Sequence, residues 1–487
     1  MSRPVVIGLD LSTHGVKVVG VTPDGRIPVH IMKHYQRIIG ADGSHIQPID
    51  DVSAALKAAL KDIAERFGSH YFVEGIAVTH QRGTLIGVDH FGNAVVPTIC
   101  DSDTRAWQQA QWIQKLISSR ELIKRTGCPP VPFNGLMKIL WWYQQYPEDA
   151  AKVRWWMSVQ DWAVWKLTGQ FISSPGAALR QGLLNIAQPI KYDVELLNRL
   201  QIPLETLLPL APFGRQIGAL SSEFGNDIGL PSGIPVFPSS GDQPAAVLGT
   251  GAISRGAAVI NLGTSFLLSF ILKTSDIEPG SLFPTLELLP DGRYALEYGE
   301  GAGTNILDWL RNQLLNVKSI HKLNELGSNS PRGARGVVVI PHWWAIMDAA
   351  RCGVITGLRS HNTQADLVRA TYEGLSYEVR ICWEKLEHIS GFSPALAAVC
   401  GGASRNGLFC QILSSTLDIP VYRTSCKEAS ALGAAITAAL ALGWAVDGNT
   451  AEMRMVKVEP EIYPNIEDRS FYQDGFQNYL LLRKSHS

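Results

Sequence analysis

A carboxylate at position 242 is the group in this chain best placed to act as a general base. Asp242 follows a short apolar run, 234–237, and precedes Pro244 in a segment rich in alanine. Proline is favoured in the first turn of a helix, so the sequence predicts that a helix begins here. A carboxylate near a helix N-terminus is stabilised as the anion, the form that a base needs. An aspartate that only caps the helix would give the same pattern, and this stretch alone does not separate the two.

A small polar turn near the start of the chain is the second motif with chemical potential. The apolar run 4–9 predicts a buried strand that ends in Asp10, Ser12 and Thr13 and resumes at 16–21. Strand, turn and strand indicate an antiparallel hairpin, which an Asp-Gly turn further on extends to a meander. Hydroxyl and N–H groups of such a turn can face phosphate oxygens, and Asp10 can hold Mg²⁺. A turn without any ligand is the alternative.

The same pattern returns about 250 residues later. The apolar run 257–262 ends in Gly263, Thr264 and Ser265 and is followed by a second apolar run, 266–272. Each turn alone is a weak signal, and neither matches the glycine-rich loop that ends in Gly-Lys-Ser/Thr. Two such turns at corresponding places in two halves indicate a nucleotide-binding protein much more strongly.

Glycine-rich segments of the second half predict further contacts to a nucleotide. Gly303 lies where the segment 299–313 opens a helix, which is a ready anion site. Gly401 and Gly402 follow a predicted strand and precede Asn406 and another helix. Adjacent glycines lack Cβ atoms, so a flat base can lie against their backbone.

Polar residues at the ends of other predicted strands are candidates for binding an acceptor molecule. Gln81 and Arg82 follow one strand, and Asp101, Asp103 and Arg105 precede a helix. Strand ends are where α/β folds place ligands, and these groups could bind sugar hydroxyls. A structural ion pair between Asp103 and Arg105 is the alternative for those two residues.

Composition limits the function classes. At 487 residues the chain predicts two domains. A net charge of −1 and scattered basic residues give no footprint for nucleic acid. The seven cysteines form no Cys-x-x-Cys pair and no signal peptide is recognised, which indicates reduced thiols in the cytoplasm. The apolar run 429–446 is broken by Ser430 and Gly433, so a buried helix packed through small residues fits better than a membrane span.

Five stretches in order resemble the FGGY carbohydrate kinases over nearly the whole length. They are 8–13, 103–105, 241–243, 262–265, and 401–404 with 428–433. The resemblance implies an α/β fold of two actin/hexokinase-like (ribonuclease H-like) domains with an active-site cleft between them. We place the domains at 1–245 and 246–487, the first for the sugar and one phosphate turn, the second for the other phosphate turn and adenosine.

The resemblance also implies the cofactors and the role of each residue. ATP and Mg²⁺ would be the cofactors, and a small sugar or polyol, most simply a ketopentose, would be the acceptor. Asp242 would be the general base and Asp10 the metal ligand. The remaining assignments are Ser12, Thr13, Lys17, Gly263, Thr264 and Gly303 for phosphates, Gly401, Gly402 and Asn406 for adenosine, and Gln81, Arg82, Asp101, Asp103, Asp242 and Gln243 for the acceptor.

Departures from the family pattern bear on the acceptor. Gly83 stands where glycerol kinases have an acid, and Asp101 stands where the family commonly has tryptophan. A roomier, more hydroxylated acceptor than glycerol is therefore expected, although the Met-His-Gly of many xylulokinases is also absent. Lys17 replaces a common arginine, which keeps the charge but loses the fork geometry.

Three alternatives stay open: a glycerol or other small-polyol kinase, a non-catalytic sensor of sugar or nucleotide, and an actin-like filament protein or chaperone. Predicted partners include neither nucleic acid nor membrane, and a homodimer is left open.

Overall fold

The computed structural model describes residues 2–188, 190–212, 214–289, 291–299, 303–342 and 352–486. The strands are β1 (Arg3–Ser12), β2 (Gly15–Val21), β3 (Val29–His34), β4 (Ile38–Ile39), β5 (His45–Ile46), β6 (Tyr71–His80), β7 (Leu85–Val88), β8 (Trp155–Ser158), β9 (Gly218–Ala219), β10 (Pro235–Pro238), β11 (Ala258–Leu262), β12 (Phe266–Leu272), β13 (Thr285–Leu288), β14 (Tyr294–Tyr298), β15 (Val338–Ile340), β16 (Val354–Thr356), β17 (Ala397–Cys400) and β18 (Val421–Tyr422).

The helices are α1 (Ile49–Phe67), α2 (Trp107–Ile113), α3 (Ser119–Thr126), α4 (Gly135–Gln145), α5 (Pro147–Ala150), α6 (Val159–Thr168), α7 (Pro175–Arg180), α8 (Val194–Arg199), α9 (Ser222–Ile228), α10 (Asp242–Gly249), α11 (Ala252–Arg255), α12 (Asn305–Trp309), α13 (Ile320–Ser328), α14 (Gln364–Ser390), α15 (Gly407–Leu417), α16 (Ala429–Ala441), α17 (Gly448–Met455) and α18 (Arg469–Ser485).

The chain divides into two units that exchange segments along the sequence. The first unit comprises Met1–Ser254, Ile271–Leu296 and Glu428–Lys457. The second comprises Arg255–Phe270, Glu297–Lys427 and Val458–Ser487. Helix α16 therefore belongs to the first unit although it lies near the C-terminal end of the sequence.

The first unit is built on a mixed sheet of six strands in the order β3-β2-β1-β6-β10-β9. Strands β1 and β2 form the predicted hairpin, in which Asp10 pairs with Lys17 and Ser12 with Gly15. Strand β6 runs parallel to β1, and β10 runs parallel to β6. Apolar residues of β1, β2, β6 and α1 form a continuous core in which Ile7, Leu9 and Leu56 have no exposed surface.

The second unit repeats this connectivity. Four consecutive strands of its sheet lie in the order β12-β11-β17-β18. Strands β11 and β12 form an antiparallel hairpin that closes at Leu262 and Phe266, and β17 runs parallel to β11. The predicted recurrence of strand, polar turn and strand is thus confirmed, and in each unit a parallel strand lies beside the first strand of the hairpin.

Two helices of the first unit approach through glycine. A Cβ atom on Gly433 of α16 would lie 1.7 Å from the Ala245 carbonyl oxygen of α10, and one on Gly249 would lie 1.8 Å from the Ala429 carbonyl oxygen. Because glycine has no side chain, the backbones of α10 and α16 pack directly against each other at these two positions. The prediction that the 429–446 run forms a buried helix packed through small residues is confirmed for Ala429–Ala441.

The tryptophan-rich segment 136–169 and the leucine-rich segment 196–210 have compositions that predict helices, and both predictions are wrong in part. Trp155 and Trp156 lie in strand β8, which pairs with β7. In the leucine-rich segment, α8 ends at Arg199. Gln201 has a φ of 58° and Pro203 follows, so the helical path cannot continue.

No helix among the described ranges is both long and apolar enough to cross a membrane.

Substituting alanine for Gly433 should lower thermal stability, because the added Cβ atom would meet the backbone of α10. Overpacking of this kind costs about 1–3 kcal/mol of unfolding free energy. The check is the melting temperature measured by circular dichroism. Gly407→Ala is the control, since a Cβ atom there would meet nothing within 4 Å. Equal melting temperatures for Gly433→Ala and the wild type would contradict the close packing.

Candidate functional site

Parallel strands of the first unit carry the predicted site residues to one edge of its sheet. Asp10 is in register with Thr79 near the end of β6, and Gln81 and Arg82 follow that strand directly. Asp242 comes after β10, at the first residue of α10. Carboxyl ends of parallel strands meet at one edge, which is where α/β folds bind ligands. The structure therefore groups these side chains within one unit.

Asp242 is held through one of its two carboxylate oxygens. Its Oδ1 accepts hydrogen bonds from Arg82 Nε at 3.0 Å and from the Gln243 backbone N–H at 2.9 Å. Within the described part of the chain, Oδ2 accepts none, and the side chain keeps 29% of its surface exposed. One oxygen is thus anchored while the other stays available to a ligand hydroxyl.

The electrostatic setting of Asp242 favours proton acceptance. Burial raises the pKa of Asp242, whereas the Arg82 guanidinium opposes this rise and Asp101 adds to it. Strong pairing with an arginine alone would make the carboxylate a weak base. Here the pKa lies above that of an ordinary aspartate, so the group can take a proton more readily.

A second charged cluster joins Asp10 to α16. Lys17 Nζ lies 2.9 Å from Glu428 Oε2 and 4.0 Å from Asp10 Oδ2. Although burial opposes its charge, the carboxylates of Asp10 and Glu428 hold the pKa of Lys17 above its usual range. Lys17 is 25% exposed, so a protonated amine remains accessible to an anion.

Asp10 has the features of a cation ligand. The residue is 3% exposed, and its Oδ1 is buried with no hydrogen-bond partner among the described residues. Burial raises the pKa of Asp10 to about 7, an effect that Lys17 opposes. No group of three or more His, Cys, Asp or Glu side chains in the described ranges is arranged to hold a metal. One carboxylate plus phosphate oxygens and water is a usual Mg²⁺ environment, so Asp10 fits this ion.

Two groups of the turn between β1 and β2 already form hydrogen bonds within the protein. Ser12 Oγ donates to the Gly15 carbonyl at 2.8 Å, and the Thr13 carbonyl accepts from Gln47 Nε2 at 3.1 Å. Both residues are partly exposed. The turn is therefore held by its own Ser12–Gly15 hydrogen bond and by Gln47, which precedes α1. Its surface remains partly accessible.

Two side-chain oxygen atoms among the residues assigned to the sugar or polyol receive no hydrogen bond from the described residues. Gln81 Oε1 and Asp101 Oδ1 are buried, and neither has a hydrogen-bond partner in the described part of the molecule. Buried polar atoms in folded proteins are normally hydrogen-bonded, so orphaned acceptors require an explanation. A molecule rich in hydroxyl groups would supply the missing donors.

Asp103 has a structural partner, as the alternative interpretation proposed. Its Oδ2 accepts from Arg105 Nη2 at 2.8 Å and from the His45 backbone N–H at 2.9 Å. Asp103 is 2% exposed, and Arg105 also stacks over Trp141 at 4.5 Å. The pair therefore stabilises the loop that carries Asp101.

The second hairpin turn lies against a glycine-containing segment of the second unit. Thr304 donates to the Gly263 carbonyl from its backbone N–H at 3.0 Å and from Oγ1 at 2.8 Å. A Cβ atom on Gly303 would lie 1.8 Å from the Thr264 carbonyl oxygen, so only glycine permits this approach. Thr264 itself is exposed. Residues 300–302 of the predicted glycine-rich segment lie outside the described residues.

The predicted adenosine residues follow β17. Gly401 has a φ of 84°, and a Cβ atom on it would meet the Leu262 carbonyl oxygen at 2.7 Å. A Cβ atom on Gly402 would meet nothing within 4 Å, so this glycine borders open space. Asn406 is 7% exposed and caps α15 by accepting from the Phe409 backbone N–H at 3.2 Å. Its side-chain amide also donates to Asn324 at 3.0 Å.

Three charged residues beside the site were not identified from the sequence. Glu428 pairs with Lys17, Glu287 pairs with Arg82 at 2.5 Å, and Lys138 donates to the Gly83 and Cys100 carbonyls at 2.6 Å each. The six-residue match at 428–433 pointed to Glu428 without giving it a role. Lys138 lies on α4, where the neighbouring tryptophans indicate only a buried core, and no local signal marks Glu287.

Comparisons with known proteins match both halves of the chain to one family. Models of the N-terminal and C-terminal domains of the FGGY family of carbohydrate kinases match residues 5–249 and 258–442. A xylulose kinase of Staphylococcus xylosus is 24% identical over 480 residues, covering 97% of this chain and 98% of that protein. A glycerol kinase of Oleidesulfovibrio alaskensis is 25% identical over 489 residues, covering 96% of each.

The solved structure of a gluconate kinase from Lactobacillus acidophilus superposes with a TM-score of 0.90 at 21% identity, covering 99% of this chain and 98% of that one. This likeness, together with the two family-model matches, confirms the predicted α/β fold of two actin/hexokinase-like domains.

Asp10→Asn should stabilise the ligand-free protein at pH 8 and change its stability little at pH 4. Because the folded pKa of Asp10 is about 7 against an ordinary value of 3.8, its ionisation opposes folding. This cost is absent below about pH 4, grows towards pH 7 and is complete above it, up to about 4 kcal/mol. Melting temperatures of both proteins across this pH range provide the measurement.

The control for this experiment is Asp227→Asn, which removes an exposed carboxylate paired with Lys57. It should show no stabilisation that grows with pH. A constant difference between Asp10→Asn and the wild type from pH 4 to pH 8 would show that Asp10 is not the group titrating.

Proposed function

Since this chain belongs to the FGGY family of carbohydrate kinases, we propose that it transfers the γ-phosphoryl group of ATP to a hydroxyl of a ketopentose of the xylulose or ribulose type, with Asp242 as the general base. The observation that carries this proposal is the asymmetric environment of Asp242. Arg82 and the Gln243 N–H hold Oδ1, and Oδ2 is left for the acceptor hydroxyl.

Asp242 has a limited but necessary task in this reaction. As the acceptor oxygen bonds to the γ-phosphorus, the bond between that phosphorus and the bridging oxygen of ADP breaks, and the hydroxyl proton passes to Asp242 Oδ2. Phosphoryl transfer depends mainly on alignment and charge neutralisation, so the base chiefly guides the proton. Arg82 keeps the carboxylate oriented for that transfer.

The phosphate groups need cations and N–H donors. We assign Lys17 and the Ser12-Thr13 turn of the first unit to this role, and the Gly263-Thr264 turn with Gly303 in the second unit. Asp10 Oδ1 would hold Mg²⁺. When bound, this ion neutralises charge on the phosphate oxygens.

Adenosine binding is assigned to the second unit. Open space at Gly402 suits a flat ring system, and Gly401 shapes the backbone that leads to it. The side chain of Asn406 caps α15 and donates to Asn324. Asn406 therefore contributes to adenosine binding by fixing the loop between β17 and α15. Along the sequence we assign residues 1–245 to the sugar and 246–487 to adenosine. The segments Ile271–Leu296 and Glu428–Lys457 belong nevertheless to the first unit.

Support for a ketopentose comes from the acceptor side of the site. Gln81 Oε1, Asp101 Oδ1 and Asp242 Oδ2 are three acceptors without donors within the described ranges, and a multiply hydroxylated substrate would satisfy them. Asp103 supports this loop through Arg105, and Gln243 lies next to the base. The name of the S. xylosus relative, xylulose kinase, is consistent with this substrate class.

Glycerol kinase activity is the second candidate, because the O. alaskensis relative carries that name. Gly83 and Asp101 argue against it. Glycerol kinases have an acid at the position of Gly83, and the family commonly has a tryptophan at the position of Asp101. This chain lacks both of these side chains. A Cβ atom on Gly83 would meet the Phe133 carbonyl oxygen at 2.3 Å, so the backbone here leaves no room for the acid.

The test is release of ADP in a coupled assay with glycerol, erythritol, ribitol, D-ribulose, D- and L-xylulose, fructose and a blank without acceptor. We expect a ketopentose to give turnover far above the blank. Asp101→Trp should move the ratio of kcat/KM values towards glycerol by about tenfold or more, since it removes a hydroxyl acceptor and fills space.

The matched control is Asp24→Trp, which places the same substitution on an exposed turn and should leave the preference unchanged. Highest turnover with glycerol would contradict the ketopentose proposal. Blank-level turnover with every acceptor, with ATP binding intact, would favour the sensor alternative.

A further inference from the structure

We propose that Glu287, a residue of β13 far from the other site residues in sequence, is a positioning residue that holds Arg82 against the general base. This inference rests on the proposed role of Asp242. It assigns to the site a carboxylate that neither the sequence motifs nor the family comparison identify.

Among the described residues, Arg82 connects the carboxylates of Asp242 and Glu287. Its Nε donates to Asp242 Oδ1 at 3.0 Å, and its Nη1 donates to Glu287 Oε1 at 2.5 Å. The Arg82 side chain is 8% exposed and that of Glu287 is 1% exposed. A guanidinium with two carboxylates on different edges has a fixed plane, so Glu287 determines the angle from which Arg82 reaches the base.

Glu287 is itself held from two sides of the first unit. Its neighbour Leu286 donates a backbone hydrogen bond to the Gly127 carbonyl at 2.8 Å. Arg180, the last residue of α7, places Nε 3.5 Å from Glu287 Oε1. The strand position is therefore fixed by the backbone, and a second cation faces the same carboxylate oxygen.

Charge also connects the three groups. Burial raises the pKa of Glu287, and the guanidinium groups of Arg82 and Arg180 oppose that rise. Asp242 raises it further, so the two carboxylates interact through the arginine between them. Asp242 faces Asp10, Lys17 and Asp101 as well as Arg82.

Burial excludes Glu287 from direct contact with the acceptor. At 1% exposure the carboxylate cannot meet a hydroxyl without displacing Arg82. Gly83, the residue after Arg82, offers no carboxylate. Glu287 therefore supplies from β13 a negative charge that contacts Arg82 through a different guanidinium nitrogen from the one bound to Asp242.

The test compares wild type, Glu287→Gln, Arg82→Met and the double variant with the acceptor that gives the highest turnover. Without the Glu287 carboxylate, Arg82 should no longer be held in the correct position. Glu287→Gln should therefore lower kcat/KM for the acceptor about a hundredfold. KM for ATP should stay within about twofold, because this residue does not touch the phosphate turns. In the Arg82→Met background, Glu287→Gln should cause no further loss.

Two additional variants separate positioning from folding. Glu287→Asp keeps the charge and should recover part of the lost kcat/KM. Glu378→Gln is the control, since this glutamate is also 1% exposed and pairs with an arginine, Arg483, at 2.8 Å in the second unit. It should lower the melting temperature without a selective loss of acceptor kcat/KM.

An equal loss from Glu287→Gln in both backgrounds, or a loss that follows the melting temperature alone, would overturn the inference. If Asp242→Asn is inactive while Glu287→Gln behaves as wild type, only the role of Glu287 fails. If Asp242→Asn keeps full turnover, the proposed function fails independently of Glu287.

Discussion

The close packing of α10 against α16 is the constraint on which the first unit's site depends. Asp242 is the first residue of α10 and Glu428 immediately precedes α16. Ser430 Oγ donates to the Asp242 carbonyl at 2.9 Å. Because backbone meets backbone at Gly433 and Gly249, the two helix starts have one fixed separation. The contact between α10 and α16 therefore places Asp242 close to Glu428, the ion-pair partner of Lys17.

This arrangement concentrates buried charge at the ends of parallel strands. Burial raises the pKa of Asp10 and of Asp242, and taking carboxylates out of water costs free energy. The ion pairs with Lys17 and Arg82 offset only part of that cost. Folding alone would not require these charged groups. Their costly burial therefore supports the proposal that Asp10 binds a cation and that Asp242 accepts a proton during phosphoryl transfer.

Local signals in the sequence predicted much of this structure. Apolar runs interrupted by small polar turns indicated both hairpins, and small residues indicated a buried helix in the run 429–446, of which Ala429–Ala441 is helical. Asp242 at the head of a helix followed from Pro244. Segments whose state depends on distant partners were predicted less well: Trp155 and Trp156 form a strand because β7 pairs with them. Glu287 lies 205 residues from Arg82, so no spacing rule could reveal their contact.

The most direct test of the account is the rate of phosphoryl transfer by Asp242→Asn at saturating ATP and acceptor. Calorimetry should first show that the variant still binds both ligands. Since asparagine keeps the shape of the side chain but cannot accept the proton, we expect kcat to fall by about 10²–10⁴-fold. Wild-type kcat in this variant would contradict the assignment of Asp242 as the general base.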